Sequence, residues 1–132
     1  MKCLINLFRK DKKMTLEHFN IAEFDSPDSP GSGEFMSKKF LVMLDKARDI
    51  AGIPFKINSG YRTMIHNAEI GGVSNSSHLS GLAADVSCKE SRHRFIMIAA
   101  FIAAGFTRIG IAKTFIHVDC DKDKDQSVSW LY

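Results

Sequence analysis

Two stretches of this chain have the length and apolar spacing of long helices, and they restrict the fold more than any other feature. In "SKKFLVMLDKARDIAG", Phe40, Leu41, Leu44, Ala47 and Ile50 recur at helical spacing, with Ser37 placed as N-cap and Gly52 as stop. This stripe predicts core packing. In "ESRHRFIMIAAFIAAG", Phe95, Ile98 and Ile102 recur before a stop at Gly105. That segment is apolar over much of its circumference, which predicts deep burial. The remaining regular segments are short. "PFKINSG" alternates Phe55 and Ile57 with polar neighbours, then reaches a turn at Gly60. "GLAADVS" predicts a buried strand, and its lack of bulk at Gly81, Ala83 and Ala84 lets other backbone approach closely. "TRIGIA" and "KTFIHVD" predict a β-hairpin with its turn near Ala112–Thr114. Two long helices among short strands predict a compact α+β domain, a small antiparallel sheet packed with two main helices.

The other segments read as connections. Thr15 to Phe24 is a short, partly apolar lead-in, followed by the loop "DSPDSPGSGE". "YRTMIHNAEIGG" predicts a helical turn stopped by Gly71 and Gly72, and "SNSSHLS" a loop. The tail "DKDKDQSVSWLY" begins as a solvated charge run and ends in Trp130 and Tyr132, which must pack on something or cover a cleft. A length of 132 residues predicts one domain, over residues 15–132, behind an N-terminal extension of residues 1–14. Met14 is an alternative start, since the recognisable pattern begins just after it. A core of this size needs no disulfides. Cys3, Cys88 and Cys120 form no disulfide framework. Cys88 and Cys120 lie close in sequence to the candidate site below, where burial as small apolar residues is expected of them rather than ligation. The opening "MKCLINLFRKDKKM" lacks the long apolar region and cleavage site of a secretion signal, and no stretch has the length of a membrane span. A net charge of +3, with no Lys/Arg stripe interleaved with aromatics, gives no reason to expect a nucleic-acid partner. A monomer is expected.

Within this frame His78, Asp85 and His117 stand out as potential metal ligands. His78 and Asp85 are bridged by "LSGLAA", long enough for the chain to turn and bring both to one point. His117 lies in a predicted strand and shares a face with Phe115 and Asp119. Two imidazoles and one carboxylate are a common catalytic zinc set, with the fourth position left for water. Each residue also has an ordinary structural role open to it: a strand histidine in the core, an aspartate as a cap. The local spacings that mark a zinc site in sequence are absent.

The order of motifs adds to this. "SGYRT" (Ser59–Thr63), "SSHLSGLAAD" (Ser76–Asp85) and "FIHVD" (Phe115–Asp119) together resemble the zinc D-Ala-D-Ala carboxypeptidases and L-alanyl-D-glutamate endopeptidases of bacterial cell walls and phage lysins. Ser76, His78, Gly81, Ala83 and Asp85 fit every position of that family's S-x-H-x-x-G-x-A-x-D pattern. "NAEIGG" and the closing Trp130–Tyr132 resemble one branch of it. The resemblance covers roughly Phe19 to the end. It implies a Hedgehog/DD-peptidase-like fold, Zn2+ held by His78, Asp85 and His117, and hydrolysis of peptidoglycan stem peptides. It further implies that Arg62 holds an anionic group of the peptide or the oxyanion, which suits its bidentate fork, and that Ser76 hydrogen-bonds near the substrate or the metal ligands.

One position departs from the pattern. Many members carry a catalytic carboxylate three residues before the last zinc histidine, where this chain has Thr114. Asp119 is the expected substitute as general base, although it can instead orient His117 or ligate the metal; Asp121 and Glu69 are further candidates. His66 is expected at the surface or at the rim of the cleft, His93 on an exposed helix start, and His18 without a partner. With no secretion signal read, a phage-lysin-like setting is the expectation, with synthesis in the cytoplasm and action at the wall after release. The departure at Thr114 leaves a second reading, a catalytically weak, zinc-stabilised module that binds wall peptide or a protein partner.

Overall fold

The computed structural model describes residues 15–132. The N-terminal extension expected over residues 1–14, with Cys3, lies outside the described residues. Helix α1 spans Lys38–Ala51, starting where the Ser37 hydroxyl accepts from the Phe40 N–H and ending at Gly52 in the left-handed region. Helix α2 is short, Met64–Glu69, and is capped by Thr63. Helix α3 spans Ser91–Ala103. Strands β1 (Ile57–Ser59), β2 (Ala83–Ser87), β3 (Arg108–Ile111), β4 (Phe115–Asp119) and β5 (Val128–Leu131) form one sheet in the order β1-β2-β4-β3-β5. No helix among the described residues is long and apolar enough to cross a membrane.

The α+β architecture and the β3–β4 hairpin agree with the sequence. The sheet is antiparallel across β1, β2, β4 and β3, and β5 then joins β3 in parallel, so it is mixed. The fifth strand comes from the tail, whose opening charge run is not wholly solvated. Asp121 is buried and accepts from the Ser77 hydroxyl at 2.7 Å, and this folds the loop back before β5 begins.

Period two divides the sheet into two faces. Ala84, Val86, Ile109, Ile116 and Val118 pack under Phe40, Leu41, Leu44 and Ala47 of α1 and Met97, Ala100 and Phe101 of α3. The alternate positions of β2 and β4 turn the other way and carry Asp85, His117 and Asp119. The phase of α3 differs from expectation: Phe95 is 76% exposed and Ile102 61% exposed. A helix lying against one sheet and one neighbour buries a single stripe. Where residues are apolar all round, sequence cannot show which stripe that is. Ile50, expected in the α1 stripe, is 48% exposed because it lies round the helix from Leu44 and Ala47.

The loops ahead of the helices are ordered by polar contacts. Asn20 and Glu23 form a capping box on a 3-10 turn over Ile21–Phe24, and Phe24 is fully buried. Asp25 accepts from the backbone of Gly31 and Gly33, and Asp28 from the hydroxyls of Ser26 and Thr63. The close approach predicted at Gly81 is present. A Cβ there would lie 2.3 Å from the Phe35 carbonyl oxygen, at a φ of +69°.

Candidate metal centre

One cross-strand row builds the site. Ser59 pairs with Asp85, Asp85 with His117, His117 with Gly110, and Gly110 with Trp130. Asp85 and His117 therefore sit side by side on the open face of the sheet. His78 reaches them from a 3-10 turn over Ser77–Ser80, which Ser76 caps by accepting from the His78 N–H. Gly81 ends this turn and sends the chain into β2, so the tight turn delivers His78 and the strand delivers Asp85.

His78, Asp85 and His117 are all buried, and their ligand atoms lie within 4.8 Å of one another. His78 Nε2 is 3.3 Å and His117 Nδ1 2.9 Å from the same oxygen, Oδ1 of Asp85. A tetrahedral ion with bonds of about 2.0–2.2 Å needs ligand atoms roughly 3.3–3.6 Å apart, so slight opening suffices. The far nitrogen of each ring has an acceptor. His78 Nδ1 lies 2.7 Å from the Gly60 carbonyl, and His117 Nε2 lies 2.8 Å from Asp119 Oδ2. A carbonyl and a carboxylate only accept, so each far nitrogen carries the proton and each near nitrogen can present a lone pair. For His117 the near nitrogen also meets an acceptor, so without a cation it carries a second proton and donates to Asp85 Oδ1, and a cation takes that proton's place. Burial acts to lower the His117 pKa, but its bonds to Asp119 and Asp85 outweigh it and raise it. Burial likewise works against ionised Asp85, and the hydrogen bonds from His117 and His78 win, holding it well below the usual carboxylate range. The donor set fits a divalent ion such as zinc.

Arg62 adjoins the ligands. Its Nε donates to Ser59 Oγ (3.0 Å), Nη1 to Asn67 Oδ1 (3.2 Å) and Nη2 to Asp85 Oδ2 (3.3 Å). Asp119 has one oxygen on His117 and the other on Arg108 Nε at 2.7 Å, is 1% exposed, and also accepts from the Asp121 N–H. Thus the structure brings His78, Asp85, His117, Arg62, Ser76 and Asp119 together, with Asp119 behind His117 rather than free in the cleft. Asp121 is engaged with Ser77, while exposed Glu69 and half-buried His66 do not line the cleft. Exposed Thr114 lies in the β3–β4 turn, and exposed His93 stands near Glu90. Cys88 is buried, Cys120 is half-buried against the core, and neither joins the ligand group.

These residues face a cleft of about 410 Å³ walled by Phe115, Trp130 and Tyr132. The Trp130 ring lies 5.6 Å from the His117 ring because Gly110 leaves the space; a Cβ there would come 2.6 Å from Trp130 Nε1.

The sequence model of the peptidase M15 family matches residues 14–119, a span that contains all three ligand candidates. The chain belongs to this family, that of the zinc D-Ala-D-Ala carboxypeptidases. Among curated proteins none matches it. M15 peptidases are generally zinc-dependent metallopeptidases, in keeping with the donor set. Arg108 does not stand out in the sequence, yet it bonds Asp119, donates to the Asp125 carbonyl and stacks on Trp130 at 5.0 Å. Its signal was a charged residue in strand register with Gly110, on the face that carries His117. Nor does Gly60 stand out as a partner of His78, since a backbone acceptor leaves no trace in residue type.

Proposed function

We propose that this M15 member is a zinc metallopeptidase that hydrolyses peptide bonds in peptidoglycan stem peptides. The observation that supports the reading best is the convergence of His78 Nε2, Asp85 Oδ1 and His117 Nδ1, with both far nitrogens already tied to acceptors. Such outer partners fix tautomer and ring orientation before the ion arrives. Zinc bound there supplies a polarised carbonyl and a water of lowered pKa.

The remaining roles belong to the chain. Arg62 beside Asp85 grips a peptide carboxylate or the oxyanion that develops at the scissile carbonyl. Ser76 holds the turn that presents His78. Asp119 acts through His117: it keeps the proton on Nε2, and Arg108 in turn keeps Asp119 ionised and in place. The aromatic wall of Phe115, Trp130 and Tyr132 keeps bulk water from one side of the cleft.

One observation favours a second reading, a zinc-stabilised module that binds wall peptide or a protein partner. Among the described residues that line the cleft, both oxygens of Asp119 and both oxygens of Asp85 are engaged, which leaves no idle carboxylate as proton acceptor. Zinc content, measured together with mass analysis of digested peptidoglycan, decides between them. One bound zinc and released peptides support the peptidase, and the masses name the bond cut. Bound zinc without hydrolysis supports the module. No bound zinc overturns both.

A further inference from the structure

Arg62 is held from three sides, and the third is not explained by the ligands. Ser59 and Asp85 belong to the cross-strand row, whereas Asn67 comes from the last turn of α2. The Asn67 side chain is almost wholly buried, with the residue 4% exposed. Its Nδ2 donates to the Val73 carbonyl at 2.9 Å, which forces Oδ1 to face Arg62 Nη1. The backbone closes around it: the Gly72 N–H donates to the Asn67 carbonyl at 2.8 Å, after Gly71 turns at a φ of +72°. A Cβ on Gly72 would lie 2.1 Å from Asn67 Oδ1, so the glycine is a condition of this packing. Gly72 and Val73 also form a lip of the metal cleft.

We propose that Asn67, locked by Gly72, is a positioning residue that sets the orientation of the Arg62 guanidinium and couples it to the cleft lip. This rests on the peptidase reading for what Arg62 then does. A guanidinium has five N–H groups. Ser59, Asn67 and Asp85 occupy one on each nitrogen, which leaves one N–H on each terminal nitrogen. That remaining pair is the fork that binds two oxygens of one carboxylate or of a tetrahedral oxyanion. Without Asn67 the guanidinium keeps its two contacts to Ser59 and Asp85 but frees Nη1, and the fork loses its defined direction.

A double-mutant cycle on the full chain tests this, with Asn67→Ala, Arg62→Ala and the double variant assayed on purified peptidoglycan. Asn67→Ala is expected to lower kcat/KM by roughly 10- to 100-fold, the size of a hydrogen bond to a charged group. The double variant should be no worse than Arg62→Ala alone, with zinc stoichiometry unchanged in all three. Losses that multiply instead show that Asn67 acts elsewhere and overturn the proposal. Should Asn67→Ala not fold, Asn67→Ser, whose hydroxyl is too short to span to Nη1, goes through the same cycle. A second readout needs no activity: nitrogen-15 NMR of the Arg62 side chain should show guanidinium rotation several-fold faster in Asn67→Ala than in the wild type. Equal rotation rates overturn the proposal. If the wild type hydrolyses nothing, the peptidase reading fails and this NMR comparison alone decides the positioning role.

Discussion

His78, Asp85 and His117 come together in the floor of a buried cleft, whereas Glu17, His18 and Asp49 come together at the surface. Both groups mix imidazole with carboxylate, two histidines and one aspartate in the cleft against one histidine and two carboxylates at the surface, and ligand atoms in each lie within 4.8 Å of one another. The difference is in what stands behind them. In the cleft each imidazole has its far nitrogen fixed, by the Gly60 carbonyl or by Asp119, and Asp119 is itself held by Arg108. At the surface His18 Nε2 faces Asp49 at 3.3 Å and Glu17 at 3.9 Å, and both carboxylates are open to water. The segment is tied down instead through backbone, because the N–H groups of Glu17 and His18 donate to Asp45 on α1 and Arg48 donates to the His18 carbonyl. A histidine among carboxylates becomes a metal centre when it is dehydrated and pre-aimed, not when it is merely crowded.

The sharpest way to break that contrast is to remove one ligand from each group. His78→Ala or His117→Ala should lose zinc on dialysis and lose hydrolysis, while His18→Ala should retain both; elemental analysis and the peptidoglycan assay check this. Zinc loss from His18→Ala would place the ion in the wrong cluster. Next in size is Asp119. Asp119→Ala leaves Arg108 buried without its partner and should destabilise the fold by roughly 3–5 kcal/mol, read from urea unfolding. Asp119→Asn keeps the shape, and should weaken zinc binding about 10- to 100-fold. An Asp119→Asn protein with wild-type zinc affinity would show that the far side of His117 does not matter.

The same contrast explains how much could be read ahead of the structure. Helix α1, the hairpin and the lack of bulk at Gly81, Ala83 and Ala84 were legible because capping, period and residue size act locally. The three ligand candidates were legible as residue types, and the family motifs put them in order. What stood behind them was not. Whether a carboxylate two residues from His117 faces solvent or lies beneath the ring depends on Arg108, which reaches it from another strand. The burial of Asp121 depends on Ser77, forty-four residues away. The outward face of α3 was lost for the opposite reason, since Phe95 and Ile102 carry the same apolar signal as the residues that are buried.

Two smaller effects separate the cleft from the surface cluster. Zinc at about a hundred times its dissociation constant should stabilise the wild type by roughly 3 kcal/mol. Chelator should therefore lower its Tm and added zinc restore it, with His18→Ala responding like the wild type and His78→Ala not at all. Gly110→Ala should cost about 1–3 kcal/mol, since the new methyl meets the Trp130 indole and drives it off His117. Quenching of the single tryptophan by acrylamide should rise in that variant; unchanged quenching would mean that Trp130 does not rest on the Gly110 gap.

The smallest effect belongs to the surface cluster. His18→Ala removes an exposed side-chain contact with Asp49 but leaves its own N–H on Asp45 and its carbonyl under Arg48. Exposed pairs contribute at most about 1 kcal/mol and fade with salt, so the urea midpoint should move little, and less still at high ionic strength. Asp45→Ala removes the acceptor of two backbone N–H groups at once and should cost more, about 1–3 kcal/mol. Asp45→Ala should therefore be the more damaging of the two. That order says that this segment is fastened by its backbone and that its histidine is incidental, whereas in the cleft the histidine rings are what the backbone is arranged to hold. If His18→Ala instead proved the more damaging of the two, the surface cluster would be a designed contact in its own right and the contrast with the candidate metal centre would narrow.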